Sequence, residues 1–167
     1  MNKTKKIEII AFVGLDGTGK STVATYIIEK GFPKVVFNDA ISDDQKDKDL
    51  IIRDVINQIH NLINAGQHRI IIEELSTWTE FKKLKHEFPG ELTIIAIVSP
   101  KHLRHHRLLK RPSHPLSLSE SDQSDWFEIE NLEKGGPIAI ADHYIINDGN
   151  IEKLHRNVDA MLSEIQF

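Results

Sequence analysis

The sequence predicts a three-layer α/β fold: five parallel strands forming one sheet, with helices on both faces. Two observations carry this. Short, β-branched, nearly all-apolar runs alternate with amphipathic helical stretches along almost the whole chain, which is the signature of βαβ units. The first such run enters a glycine-rich turn that opens directly into a helix. The 167 residues, 40% of them hydrophobic, suffice for one core and one domain spanning 1–167. There is no internal repeat and no linker long enough to divide the chain.

Each element has its own local reason. Ile7 to Val13 is continuously apolar apart from Glu8 and reads as a buried parallel strand. Ser21 to Lys30 places Val23, Ala24, Ile27 and Ile28 on one helical face, and Gly31 and Pro33 end it. Val35 to Phe37 is a second short strand. Ser42 to Asp49 is densely charged and is either a solvated loop or the first turn of the next helix. In that helix Ile52, Val55, Ile56, Ile59 and Ile63 recur at helical spacing until Asn64-Ala65-Gly66. Ile70 to Ile72 is a third strand running into Glu73-Glu74. Phe81, Leu84 and Phe88 mark a shorter helix. Leu92 to Val98 is a fourth strand, ended by Ser99-Pro100, and Leu103 to Lys110 is a basic helix.

Residues 111–125 break the alternation. With Pro112, Pro115 and five serines they read as a mobile, lid-like excursion within the domain. Ile138 to Ala141 fits neither period. Tyr144 to Ile146 is a fifth strand, closed by Asn147-Asp148-Gly149-Asn150, and the last helix carries Ile151, Leu154, Val158, Met161, Leu162 and Ile165 on one face.

Composition narrows the partners. A net charge of −4 and a pI near 6.1 do not fit a nucleic-acid binder with a broad basic face. Cysteine is absent, so no disulfide framework or thiolate metal site is expected. No apolar run approaches the roughly 18 residues of a membrane span, and no signal-peptide core follows the lysine-rich start, so a soluble cytoplasmic protein is expected.

The strongest motif is Gly14-Leu15-Asp16-Gly17-Thr18-Gly19-Lys20-Ser21, which fits G-x-x-x-x-G-K-[ST] at every fixed position. Its strand-before, helix-after context fits as well. The glycines let backbone N–H groups converge into an anion nest, and the helix N-terminus adds partial positive charge. Lys20 is suited to the β- and γ-phosphates of ATP, Ser21 to Mg²⁺ and Thr22 to the α-phosphate. Such a P-loop needs a second acidic magnesium ligand after a neighbouring strand, and Glu73 is the candidate.

No Asn/Thr-Lys-x-Asp guanine signature is present, which argues against a GTPase. Arg104, Arg107 and Arg111 are three and four residues apart and share one helical face; they are either phosphate-closing cations or a solvated basic face. Asp39 follows the second strand, at the C-terminal edge where ligands bind. It is either a proton acceptor for an attacking hydroxyl or a helix cap. His102 and His106 lie one turn apart, but no acidic or histidine partner supplies a clear third ligand, so a solvated or phosphate-facing role is expected there.

Gly14 to Thr22 resembles the loop of nucleotide kinases. Ile70 to Glu80, Ser99-Pro100 with Leu103, Arg107-Leu108 and Arg111, and Ala141 to Leu154 are similar to the dephospho-coenzyme-A kinases and their small P-loop relatives. In those stretches Glu73 stands where the relatives have Asp, and Glu74 where they have Gly. Ser76 stands in place of Arg, and Ser124-Asp125 in place of the lid's Arg-Asp. The resemblance implies a nucleotide-kinase-like P-loop fold with strand order 2-3-1-4-5, binding ATP and Mg²⁺ and transferring a phosphoryl group to a small nucleotide-like or nucleoside-like acceptor. It places the adenine near Asn147, Asp148 and Gly149; Arg104, on the basic helix face, is read as a nucleotide contact. The alternative function is a nucleotide-binding regulator with little or no catalysis.

Overall fold

The computed structural model describes residues 6–37 and 45–167. The elements run β1 (Glu8–Val13), α1 (Lys20–Ile28), β2 (Lys34–Val35), α2 (Gln45–Asn64), β3 (Arg69–Ile72), α3 (Trp78–Glu87), β4 (Leu92–Val98), α4 (Lys101–Leu109), α5 (Leu118–Glu130), α6 (Gly135–Ala139), β5 (His143–Ile146) and α7 (Ile151–Glu164). The five strands form one sheet in the order β2-β3-β1-β4-β5, parallel throughout, as the sequence predicts.

Strand pleating divides the apolar side chains between two cores. Ile9, Ala11, Val13, Ile70, Ile72, Ile94 and Ala96 face one side, against Ile52, Val55 and Ile59 of α2 and Phe81 and Leu84 of α3. Ile10, Phe12, Ile71, Ile95, Ile97 and Ile145 face the other, against Val23, Ala24 and Ile27 of α1 and Leu154, Val158, Met161 and Leu162 of α7. Both faces of the central strands are covered. This is why those strands read as unbroken apolar runs. No described helix is long and apolar enough to cross a membrane.

The second strand is Lys34–Val35 rather than Val35 to Phe37, and three further stretches differ from the sequence reading. The helix marked by Phe81 begins three residues earlier. Thr77 caps it in a capping box, with the Thr77 hydroxyl accepting from the Glu80 amide at 3.1 Å and Glu80 accepting from the Thr77 amide at 3.1 Å. The irregular excursion ends at Ser117: a second capping box between Ser117 and Glu120 starts α5, so 118–125 is helix. The two prolines and the serine count mask this start, although the S-x-x-E spacing signals it. Of the stretch Ile138 to Ala141, which fits neither period, Ile138 and Ala139 belong to the single helical turn α6 (Gly135–Ala139).

Candidate active site

The loop 14–19 sits at the C-terminal edge of β1, at the centre of the sheet. Gly17 and Gly19 have φ of +78° and +96°, which a side chain resists. Space forbids one too: a Cβ at Gly17 would lie 2.8 Å from the Arg104 carbonyl oxygen, and one at Gly19 2.6 Å from the Asn147 amide nitrogen. Gly19 is the N-cap of α1 and no side chain closes that first turn, whereas Thr77, Ser117 and Asn150 close the first turns of α3, α5 and α7. The open turn leaves backbone donors and partial positive charge facing the loop's cavity.

Lys20 is 5% exposed and folds back over the loop. Its Nζ donates to the carbonyls of Gly14 (2.9 Å) and Leu15 (3.2 Å), and stands 3.4 Å from Glu74 and 3.9 Å from Asp16. Ser21 and Thr22 are exposed on the first turn of α1. The Thr18 hydroxyl is turned inward and donates to the Leu15 carbonyl at 2.8 Å, the Thr18 amide donates to the same carbonyl at 3.3 Å, and its side chain does not line the loop cavity. A cavity of about 690 Å³ opens here, lined by Asp16, Gly17, Lys20, Ser21, Thr22, Glu74, Arg107 and Arg111 among others.

The carboxylate nearest the loop is Glu74, one residue after Glu73, the candidate the sequence offers. Glu73 accepts from Lys34 at 2.7 Å, on the β2 side. Glu74 reaches the loop and lines its cavity. Adjacent residues leaving a strand point to opposite sides, and the β3 register turns the second carboxylate toward Lys20. Burial works to raise the Glu74 pKa, but Lys20 and Lys134 outweigh it and hold the group below its ordinary value. A hydroxyl and an ionised carboxylate are hard oxygen donors, so Ser21 and Glu74 suit Mg²⁺.

The three arginines separate. Arg104 is buried and binds Asp125 through two parallel hydrogen bonds of 2.6 and 2.7 Å, with a third to the Asp16 carbonyl at 3.0 Å. Its guanidinium is therefore a brace between α4, α5 and the loop, and Arg104, read from the sequence as a nucleotide contact, is not among the residues that line the loop cavity. Arg107 donates to the carbonyls of Gly17 (3.2 Å) and Asn147 (3.1 Å) and to the Ser99 hydroxyl (3.0 Å), while still lining the cavity. Arg111 lies exposed on the cavity rim. His105 also contacts Asp125, at 3.0 Å, and His105, Asp122 and Asp125 cluster closely enough to raise the question of a metal; the Arg104 guanidinium on Asp125 speaks against a cation there.

Asn147 is also a brace. It is buried, and its amide donates to the Thr18 carbonyl at 2.8 Å while its own carbonyl accepts from Ser99 at 2.6 Å. Asp148 pairs with Lys153 at 2.7 Å, and Gly149 lies against the same side chain. None of the three lines the loop cavity. Asp39 lies outside the described residues.

Two charged residues with no warning in the sequence complete the site. Glu128 on α5 is 4% exposed, and Lys134 at the N-cap of α6 is 6% exposed. Glu128 accepts the Asp16 amide N–H at 3.2 Å through one oxygen and the Lys134 ammonium at 2.7 Å through the other. Lys134 also donates to Glu74 at 3.2 Å. Burial works to lower the Lys134 pKa, but Glu74, Glu128 and Asp16 more than offset it and raise the group above its ordinary value. On the far side of Asp16 and Glu74 lies a second cavity of about 440 Å³, walled by Ile51, Ile52, Ser76, Thr77, Asn131 and Lys134 among others.

Comparison with solved structures agrees with this architecture. A gluconokinase from Sinorhizobium meliloti superposes with a TM-score of 0.66 at 14% identity, covering 96% of this chain and 94% of that one. A dephospho-CoA kinase from Campylobacter jejuni gives 0.56 at 16% identity, over 94% and 96%. The fold is thus that of the P-loop kinases. No protein-family model matches the chain. A UPF0200 protein of the archaeon Sulfurisphaera tokodaii is 30% identical over 95% of this chain and 98% of its own length, and one of Thermococcus gammatolerans is 26% identical over 94% and 95%. With end-to-end similarity at that level, the chain belongs to the UPF0200 family.

Proposed function

We propose that the protein catalyses ATP- and Mg²⁺-dependent phosphoryl transfer to a small nucleotide-like or nucleoside-like acceptor. The observation that carries this is the pair of cavities meeting at Asp16 and Glu74: one bounded by the loop, Lys20 and Ser21, the other by α2, α3 and the α5–α6 connection. A phosphoryl donor in the first cavity and a hydroxyl acceptor in the second would meet at that shared wall.

On this reading, loop amides and Lys20 hold the β- and γ-phosphates, exchanging the Gly14 and Leu15 carbonyls for phosphate oxygens. Ser21 and Glu74 would hold Mg²⁺, which neutralises phosphate charge when bound. Arg107 and Arg111 add positive charge from the α4 side. The acceptor oxygen forms a bond to the γ-phosphorus, the bond to the bridging oxygen breaks with its electrons leaving on ADP, and the acceptor's proton passes to a carboxylate. Asp39 is assigned that proton on its sequence position alone.

Thermal unfolding with ATP and Mg²⁺ tests the binding half. A ligand at 100 times its Kd adds about 2.7 kcal/mol, and Lys20→Ala should remove most of that gain. An ADP-release screen over nucleosides, nucleotides and dephospho-coenzyme A tests the transfer half. One observation favours the regulatory alternative: Arg104, the buried arginine of α4, is held by Asp125. Nucleotide binding without acceptor-dependent ADP release would select it.

A further inference from the structure

We infer that Lys134 is the cation that contacts the transferred phosphoryl group, with Glu128 as its positioning residue. The inference rests on the phosphoryl-transfer reading above and adds to it the residue that faces the group in flight.

The reason is placement. Lys20 and Lys134 both reach the same oxygen of Glu74, at 3.4 and 3.2 Å. In a P-loop, the motif lysine marks the β- and γ-phosphates. Lys134 therefore stands one carboxylate away from the γ-phosphate end, and it lines the cavity on the acceptor side of the wall. Lys20 lines the donor side. The γ-phosphoryl group must cross between the two.

The charge of Lys134 is also built to persist. A lysine this buried would ordinarily tend toward the neutral form, but two carboxylates flank it. The ammonium has three N–H donors. Glu128 takes one at 2.7 Å and Glu74 another at 3.2 Å, and the third has no partner among the described residues. Glu128 also grips the Asp16 amide, so one buried carboxylate fixes both the lysine and the third residue of the loop. Held by α5, α6 and β3 together, the ammonium needs little reorganisation to meet developing charge.

It answers a chemical need as well. Ser76 and Ser124 are not cations, and Arg104 is committed to Asp125. Among the described residues lining both cavities, Lys134 is the buried cation other than Lys20. The lysine keeps all its protons throughout; it supplies fixed charge, not acid catalysis.

The test compares Mg²⁺-ADP with Mg²⁺-AMPPNP, which differ by the γ-phosphoryl group and need no acceptor. In Lys134→Met, ADP affinity should stay within about twofold of the wild type. AMPPNP affinity should fall about tenfold or more, the size of one lost charge-assisted hydrogen bond, and Lys134→Arg should restore part of it. Lys134→Met leaves Glu74 and Glu128 facing each other without a cation, so the double variant Lys134→Met/Glu128→Gln guards against a folding defect. It should melt closer to the wild type and show the same selective loss. Equal loss for ADP and AMPPNP, or no loss for either, overturns the inference. If the wild-type protein binds neither nucleotide, the phosphoryl-transfer reading itself has failed.

Discussion

Arg104 and Asp125 are joined by two parallel charge-assisted hydrogen bonds, with the Arg104 guanidinium also on the carbonyl of Asp16. One guanidinium thereby ties α4 and α5 to the third residue of the phosphate loop. Both side chains are largely buried, at 6% and 14% exposure. Removing one partner of such a pair strands the other charge, which costs roughly 3–5 kcal/mol. Asp125→Asn should lower unfolding free energy by about 3 kcal/mol in urea titration, because the amide still accepts one bond. A change below about 0.5 kcal/mol would mean the pair is solvent-screened.

The same carboxylate sets an acid limit. Burial works to raise the Asp125 pKa, but Arg104 and His105 outweigh it, so the folded value lies below the unfolded one. Glu74 is depressed too, by Lys20 and Lys134. Groups of this sign contribute stability above their unfolded pKa values, about 3.9 and 4.3, and lose it as pH falls through the folded values. Stability should therefore be level near neutrality and drop below about pH 4. Glu74→Gln should flatten part of that drop. Lys134, raised in the folded state, contributes oppositely: its share is present at neutral pH and is lost as pH rises through its folded value, above the ordinary lysine range.

The α4–α5 connection should be the protease-sensitive part of the excursion. Residues 111–115 are exposed, and the chain is tied back by the Leu116 amide on the Leu108 carbonyl at 3.1 Å. From Ser117 onward the capping box and the Arg104–Asp125 pair hold the helix. A non-specific protease should cut within residues 110–117 and leave 118–125 intact, as mapped by mass spectrometry. ATP with Mg²⁺ should slow those cuts, since Arg111 and Ser113 line the loop cavity. Cutting inside 118–125 would show that α5 opens independently.

Much of this fold is legible because local and global signals agree. Ile70 to Ile72 and Leu92 to Val98 are apolar on both faces, and the two cores require that. The loop is legible because Gly17, Gly19 and Lys20 each answer a fixed backbone or charge requirement. The rest depends on which way a side chain turns. Glu73 and Glu74 differ in sequence by one position, and only the packing of β3 between β1 and β2 decides which meets Lys20. Arg104, Arg107 and Arg111 are three and four residues apart, yet α5 binds the first, the loop and Asn147 bind the second, and the third lies beyond the end of α4, exposed on the rim. Glu128 and Lys134 carry no motif. Their importance comes from burial, which is a tertiary property.

The two neighbouring glutamates give the sharpest test of the site. Glu74 lies 3.4 Å from the P-loop lysine and lines its cavity, whereas Glu73 is paired with Lys34 at 2.7 Å. If Ser21 and Glu74 hold Mg²⁺, Glu74→Gln should weaken Mg²⁺-dependent ATP binding by about tenfold, the loss of one charged ligand contact. Binding without metal should change little or improve slightly, since a carboxylate beside the phosphates repels them once Mg²⁺ is absent. Glu73→Gln keeps the strand end and alters only a surface ion pair, for which under about 1 kcal/mol of stability and no metal-dependent effect are expected. Isothermal titration with ATP, with and without Mg²⁺, separates these cases. A larger effect from Glu73→Gln would place the metal on the β2 side of the wall. No effect from either would leave Ser21 without an acidic partner and shift the balance from phosphoryl transfer to nucleotide binding alone.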